Sequence, residues 1–198
     1  MNLAAVSKAL AHYPVSIKLG GEEYRIRVMS PADGEALMAF ARELRPHDTL
    51  YMRRDITRRS GVDSWIKALQ DGVIYSLLAE DSDGVCGYST INLNKLDWTR
   101  HIADLRVATA ERTRGRGLGR LLTREAFNIA LALDVEKLLA RMTPDQEGAR
   151  ALFQELGFQP EALLRDHVKD RDGNYHDLLL KACSVQTFLA KRAAYGRN

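Results

Sequence analysis

The stretch Arg112-Thr-Arg-Gly-Arg-Gly-Leu-Gly-Arg120 constrains this chain more than any other. Gly115, Gly117 and Gly119 alternate with larger residues, and Arg112, Arg114, Arg116 and Arg120 crowd around them. An apolar strand pattern through Leu105 and Val107 leads into it. After it, Leu118, Leu121, Leu122, Ala126, Ile129, Ala130 and Leu133 recur at helical spacing and mark one apolar face. Glycine lets a backbone approach a ligand closely and adopt conformations closed to other residues. The N–H groups of the helix start then point at an anion, which the helix dipole favours. Strand, glycine turn and helix therefore read as a phosphate or pyrophosphate cradle. The spacing is neither Gly-x-Gly-x-x-Gly nor a P-loop, since Arg120 and Leu121 follow Gly119. An Arg/Gly-rich surface turn or a nucleic-acid patch is the competing reading, and the regular strand and helix on either side weigh against it.

The rest of the chain alternates in the same way. Residues 1–12 carry Leu3, Val6 and Leu10, a short helix or a loose arm. Val15-Ile17-Leu19 and Tyr24-Ile26-Val28 alternate around Gly20-Gly21, a β-hairpin pattern. Ser30-Pro31 opens a helix with buried stripe Ala36, Leu37, Phe40, Ala41 and Leu44, which Pro46 ends. His47–Gly61 is polar and arginine-rich, and a helix is expected over Val62–Gln70. Strands are expected over 73–79, 85–93, 100–107 and 137–142, with a loop at 94–99 and a connector at Thr143-Pro-Asp-Gln146. A helix over Glu147–Leu156 stops at Gly157. A last hairpin (158–169 and 175–182) and a C-terminal helix (185–195) complete the chain. The pattern reads as a single α/β domain over 1–198, with its core at about 15–182.

Composition narrows the function classes. Hydrophobic residues are 45% and charged residues 28% of the 198, as in a soluble globular protein. A formal net charge of +3 does not by itself argue for nucleic acid. Arg53, Arg54, Arg58 and Arg59 form a second basic run, either a solvated surface or a clamp for an acidic group. Cys86 and Cys183 have no metal or disulfide spacing and read as buried thiols. His12, His47, His101 and His167 fall in no metal-ligand pattern, so no metal is expected. No signal peptide or membrane span is expected, which makes a cytoplasmic setting the default.

The residues Arg112-Thr-Arg-Gly115-Arg-Gly117 match Gln/Arg-x-x-Gly-x-Gly/Ala, and Ala149–Phe158 ends in Leu-Gly-Phe. The two blocks, in this order and at this separation, resemble the GNAT superfamily of N-acetyltransferases. The resemblance spans roughly residues 15–182. It implies an α/β (α+β) fold, a mixed, mostly antiparallel sheet with splayed central strands flanked by helices. It also implies acetyl-CoA as acyl donor and an amine as acceptor. Ala103-Asp-Leu-Arg-Val107, Thr143-Pro-Asp-Gln146 and the N-terminal hairpin resemble the bacterial protein lysine acetyltransferases in particular. A protein lysine is thus one acceptor class, beside small-molecule amines.

The resemblance places the glycine loop (Arg112, Arg114, Gly115, Arg116, Gly117, Leu118, Gly119, Arg120) on the pyrophosphate. It places Leu105, Arg106 and Val107 along the pantetheine arm, with Gln146 and Phe153 also at the cofactor. Asp104 stands where that subfamily carries a glutamate general base, but is one methylene shorter. Strand periodicity puts Arg106 on its face, and an Asp104–Arg106 pair would weaken it as a base. Phe153 stands where many members carry a proton-donating tyrosine. Tyr175 and His176 are weak substitutes. The resulting expectation is an enzyme that acetylates a primary amine directly in a ternary complex. A non-enzymatic acyl-CoA-binding regulatory module on the same fold is the alternative. A nucleic-acid binder using both arginine runs leaves the Leu-Gly-Phe block without a role. The C-terminal helix can pack on its own domain or on a second copy, so a homodimer stays open.

Overall fold

A computed structural model describes residues 3–50 and 52–194. Met1, Asn2 and Tyr51, and the expected last helical residue Tyr195, lie outside the described residues. An N-terminal helix α1 (Leu3–Leu10) precedes the hairpin β1 (Val15–Leu19) and β2 (Glu22–Val28). Then come α2 (Gly34–Glu43), α3 (Pro46–Leu50) and α4 (Arg59–Gln70), the pair β3 (Ile74–Asp81) and β4 (Gly84–Leu93), and β5 (Ile102–Thr109). The chain continues through α5 (Leu118–Ala132), β6 (Lys137–Met142), α6 (Glu147–Glu155), β7 (Gln159–Lys169), β8 (Tyr175–Ser184) and α7 (Val185–Ala194).

Two expectations need correction. Ser30-Pro31 opens a single 3-10 turn, Pro31–Asp33, and α2 begins only at Gly34. The Asp33 carboxylate accepts from the Ser30 N–H at 2.6 Å, which fixes that turn before the helix starts. Pro46 does not simply end a helix. It starts α3, which runs on into the polar, arginine-rich stretch, since proline suits a first helical turn, where its missing N–H costs no bond.

The strands form one sheet in the order β1-β2-β3-β4-β5-β6-β8-β7. Every pairing is antiparallel except β5 with β6. That parallel ladder is short. Ile102, Ala103 and Asp104 face Lys137, Leu138 and Leu139, and then the strands part. β5 runs on to Thr109 with its other edge paired to β4. From Leu105 to Thr109 its β6-facing edge therefore has no strand partner.

Residues directly opposite in a ladder share a face. Tyr88, Thr90 and Asn92 of β4 oppose Ala108, Arg106 and Asp104 of β5. This face meets α2 and α4, because Tyr88 packs edge-on against both Phe40 and Trp65. The other face meets α5. A Cβ on Gly87 would sit 3.1 Å from Leu122, so glycine there lets α5 lie close on the sheet. Leu118, Leu122, Ala126, Phe127, Ile129 and Ala130 of α5 are buried, each large apolar side chain contributing about 1.5–3 kcal/mol. α7 packs on its own sheet and helices, with Phe188 stacked on Phe127 at 3.7 Å between centroids. Cys86 and Cys183 are buried free thiols.

Candidate active site

The turn before α5 has the geometry of an anion cradle. Gly115 and Gly117 have φ of 75° and 88°, a region that favours glycine. A Cβ on either would meet nothing within 4 Å, so both face open space. Gly117 caps α5, and the first bond of the helix runs from the Leu121 N–H to the Gly117 carbonyl. The N–H groups of Leu118, Gly119 and Arg120 precede that bond and have no acceptor within the helix. No capping side chain and no acidic residue occupies the first turn. These donors and the helix dipole thus converge on one spot that nothing in the described chain fills.

A cleft of about 650 Å³ opens from this spot, lined among others by Val107–Thr109, Arg114, Gly115, Gly117–Arg120, Gln146 and Leu152. It narrows into a throat of about 80 Å³ where β5 and β6 part, between Leu105–Ala108, Arg141, Met142, Gln146 and Phe153. Cleft and throat share Asp48, Val107, Ala108, Gln146 and Ala149. The throat in turn shares Met52, Tyr88 and Arg106 with a small recess of about 20 Å³ on the α2/α4 face of the sheet. The three cavities adjoin in a row, cleft to throat and throat to recess, from the α5 N-terminus to the α2/α4 face.

The loop arginines are not loose phosphate clamps. Arg114 pairs with Asp48 at 2.6 Å, Arg116 with Glu22 at 3.4 Å, and Arg120 with Glu155. Arg112 is turned away from the cleft into an ion pair with Asp81 at 3.1 Å and another with Glu43. Neither Arg112 nor Arg116 lines the cleft, while Arg114 and Arg120 do. The positive character of the cradle therefore rests on backbone N–H groups more than on the arginines the sequence put forward. His47 Nε2 and Asp145 Oδ2, 2.6 Å apart, bridge α3 to the β6–α6 connector at the cleft wall.

Asp104 stands at the last β5–β6 pair, where the gap begins. Its Oδ1 accepts from Arg141 Nε at 2.8 Å and its Oδ2 lies 3.6 Å from Arg53. Arg141 and Arg53 are ion-pair contacts of the carboxylate, and its charge also acts on Arg106. Asp104 does not itself line the throat; Arg106 and Arg141 do. Gln146 accepts the Thr143 N–H at 3.1 Å through Oε1, which leaves its NH2 to donate into the groove. Phe153 lines the throat and packs edge-on against Phe158 of the Leu-Gly-Phe block.

Sequence reasoning passed over Tyr88. It lines both throat and recess, and burial raises the pKa of its phenol. Its hydroxyl has a weak acceptor, Met52 Sδ at 4.0 Å. β4 is buried almost throughout, so no alternation singled Tyr88 out. Among the described residues, no group of three or more His, Cys, Asp or Glu side chains gathers to hold a metal ion. Among them also, no helix is long and apolar enough to cross a membrane.

Comparison with known proteins agrees with this geometry. The acetyltransferase (GNAT) family model matches residues 35–158. A ribosomal-protein-alanine N-acetyltransferase from Brucella melitensis shares 26% identity, with 80% of this chain and 98% of that one aligned at a TM-score of 0.70. The protein yncA from Salmonella typhimurium, solved with its cofactor acetyl-CoA, shares 21% identity over 82% of this chain and 94% of its own, at a TM-score of 0.69. Spermidine N-acetyltransferase from Vibrio cholerae, in complex with CoA and spermine, shares 16% over 84% and 98%, at a TM-score of 0.70. No curated protein sequence matched the chain. With the splayed strands, the glycine turn and the matched segment in agreement, the chain belongs to the acetyltransferase (GNAT) family.

Proposed function

We propose that this chain transfers the acetyl group of acetyl-CoA to a primary amine, both bound at once in this row of cavities. The observation that carries this reading is the open anion cradle at the α5 N-terminus with a cleft that leads from it to the throat where β5 and β6 part. Acetyl-CoA would supply a thioester carbon for the amine to attack, with a thiolate as leaving group. The N–H groups of Leu118, Gly119 and Arg120 hold the pyrophosphate, with Gly115 and Gly117 keeping the approach clear. The unpaired edge of Leu105–Thr109 extends the sheet onto the pantetheine arm, and Gln146 donates to it. A backbone N–H on that edge polarises the thioester carbonyl.

As its nitrogen bonds to the acetyl carbon and the carbon–sulfur bond breaks, the incoming amine gives up a proton to solvent entering through the cleft. Guanidiniums at the throat favour its neutral form, because like charge disfavours an ammonium. Asp104 acts through Arg141 and Arg53, whose guanidiniums occupy both its oxygens. The departing thiolate needs a proton. Phe153 has none to give, which favours the non-enzymatic reading, but the buried Tyr88 hydroxyl is protonated and faces the throat.

Calorimetry with acetyl-CoA, on wild type and on Gly117→Trp, tests the cradle. Micromolar binding by wild type, lost in a folded Gly117→Trp, is the expected result. No binding by folded wild type sinks the enzyme and the binding-module readings together. Tyr88→Phe separates those two. A loss of about 10-fold or more in kcat with acetyl-CoA affinity intact is expected for a proton donor, whereas the absence of transfer to any amine by wild type leaves only the binding module.

A further inference from the structure

The throat has a carboxylate of its own, and it is not Asp104. Asp48 borders both cleft and throat, and among the described residues that line the throat it is the one carboxylate. Asp48 and Met52 bring the α3 segment to the throat beside Leu105–Ala108 of β5 and Arg141 and Met142 of β6. Two ties hold α3 there. Asp48 Oδ2 accepts from Arg114 of the glycine loop at 2.6 Å, and His47 meets Asp145 of the β6–α6 connector at 2.6 Å. These ties fix where the Asp48 carboxylate stands.

The two oxygens of Asp48 are used unequally. Arg45 adds a second bond to Oδ2 at 3.1 Å and reaches Oδ1 only at 3.4 Å. Oδ1 thus carries one long bond from an exposed arginine and has lone pairs to spare. Burial works to raise the Asp48 pKa, but the hydrogen bonds from Arg45 and Arg114 outweigh it and hold the value below the ordinary one. An ionised carboxylate of this kind is a strong acceptor of N–H bonds and a poor base.

An amine entering a narrow, partly desolvated passage needs acceptors for its N–H groups. The other side chains of the throat supply few. Arg106 and Arg141 only donate, and Gln146 Oε1 already takes the Thr143 N–H. Tyr88 has a hydroxyl, a weaker acceptor than a carboxylate. The rest are apolar or Met. Arg106 and Arg141 also counter the pull of a carboxylate on the amine's proton, so Asp48 can hold the nitrogen without keeping it an ammonium.

We infer that Asp48 Oδ1 accepts an N–H of the incoming amine and sets the acceptor nitrogen in the throat. This rests on the acetyl-transfer reading and adds the side chain that selects an amine for it. The proton still leaves to solvent; Asp48 contacts and orients.

The test measures CoA release by the full chain with acetyl-CoA and a panel of amines: spermidine, Nα-acetyl-L-lysine, the free L-amino acids and a peptide that begins with alanine. For the best acceptor, Asp48→Asn should raise KM about tenfold or more, the scale of one hydrogen bond to a charged group, with kcat changed less and acetyl-CoA affinity within about twofold by calorimetry. Asp48→Glu, which keeps the charge, should restore part of the loss. Arg45→Gln bares Oδ1 and should lower KM for the amine. A merely structural Asp48 predicts a rise there too, since both changes then loosen α3. An unchanged KM in Asp48→Asn, a raised KM in Arg45→Gln, or a loss of acetyl-CoA affinity in step with KM would each overturn the inference. So would a fall of about 10²-fold in kcat at constant KM, which would make Asp48 the base. Acetyl-CoA binding without turnover of any amine in the panel would overturn it as well. Failure of wild type to bind acetyl-CoA would instead fell the function beneath it.

Discussion

Two arginine clusters in this molecule solve opposite problems. At the β2–β3 edge, Arg27 lies between Asp33 and Glu80. Its Nη1 and Nη2 each reach an Asp33 oxygen at 2.8 Å, and its Nε and Nη2 reach Glu80 at 2.8 and 2.6 Å. Every guanidinium nitrogen reaches a carboxylate, and Nη1 also reaches the Val28 carbonyl at 3.4 Å. At the throat and recess, Arg53, Arg54, Arg106 and Arg141 gather, and Asp104 pairs with Arg53 and Arg141. The first cluster is closed and charge-matched. The second is open and cation-rich, and it borders the groove.

Breaking the closed cluster should give the largest effect. Arg27→Met leaves Asp33 and Glu80 facing each other without a cation, and should cost about 3 kcal/mol or more in urea unfolding, as for a broken buried pair. Acetyl-CoA affinity should stay within about twofold, since residue 27 is outside the groove. The pH dependence has a definite sign. Burial works to raise the Asp33 pKa, but the hydrogen bonds from Arg27 and Ser30 outweigh it and hold the folded value low. A group depressed on folding contributes stability above its unfolded pKa and loses it as pH falls through the folded one. Wild type should therefore lose stability to acid faster than Arg27→Met, and the gap between them should shrink below about pH 4. A pH-independent gap would mean that Arg27 acts through packing alone.

Asp104→Asn should fall between the extremes. It removes a carboxylate from a half-exposed pair, worth about 1 kcal/mol in stability. Its kinetic effect separates two roles. If Asp104 positions Arg141 and Arg53, KM for the acceptor rises and the acidic limb of the kcat profile stays in place. If it takes the proton itself, kcat falls about 10²-fold and the acidic limb disappears.

The contrast between the clusters also marks how far the sequence could be read. The cradle was legible because it is local. Glycine spacing, the strand before it and the apolar face of α5 all sit within one continuous stretch. The throat was half legible: Leu105, Val107, Gln146 and Phe153, which the family resemblance put forward as cofactor contacts, line one cavity. Partners distant in sequence were not legible. Arg112 heads the loop motif, yet the turn at Glu111–Thr113 directs it to Asp81 and Glu43. Arg53 and Arg54 follow α3 in a segment without regular periodicity, so no pattern could say that they face the groove. Tyr88 was hidden by uniform burial along β4.

The smallest expected effect is the one that most sharpens the comparison. Arg54→Gln removes a guanidinium that burial and its neighbours disfavour, and keeps a side chain able to hydrogen-bond Ser64. In the absence of ligand it should be neutral or stabilising by up to about 0.5 kcal/mol, against the loss of about 3 kcal/mol at Arg27. Because Arg54 is half-exposed, solvent screens part of the repulsion and keeps the gain small. If Arg54→Gln instead destabilises the free protein as Arg27→Met does, Arg54 is held by the fold as Arg27 is, through its bond to Ser64.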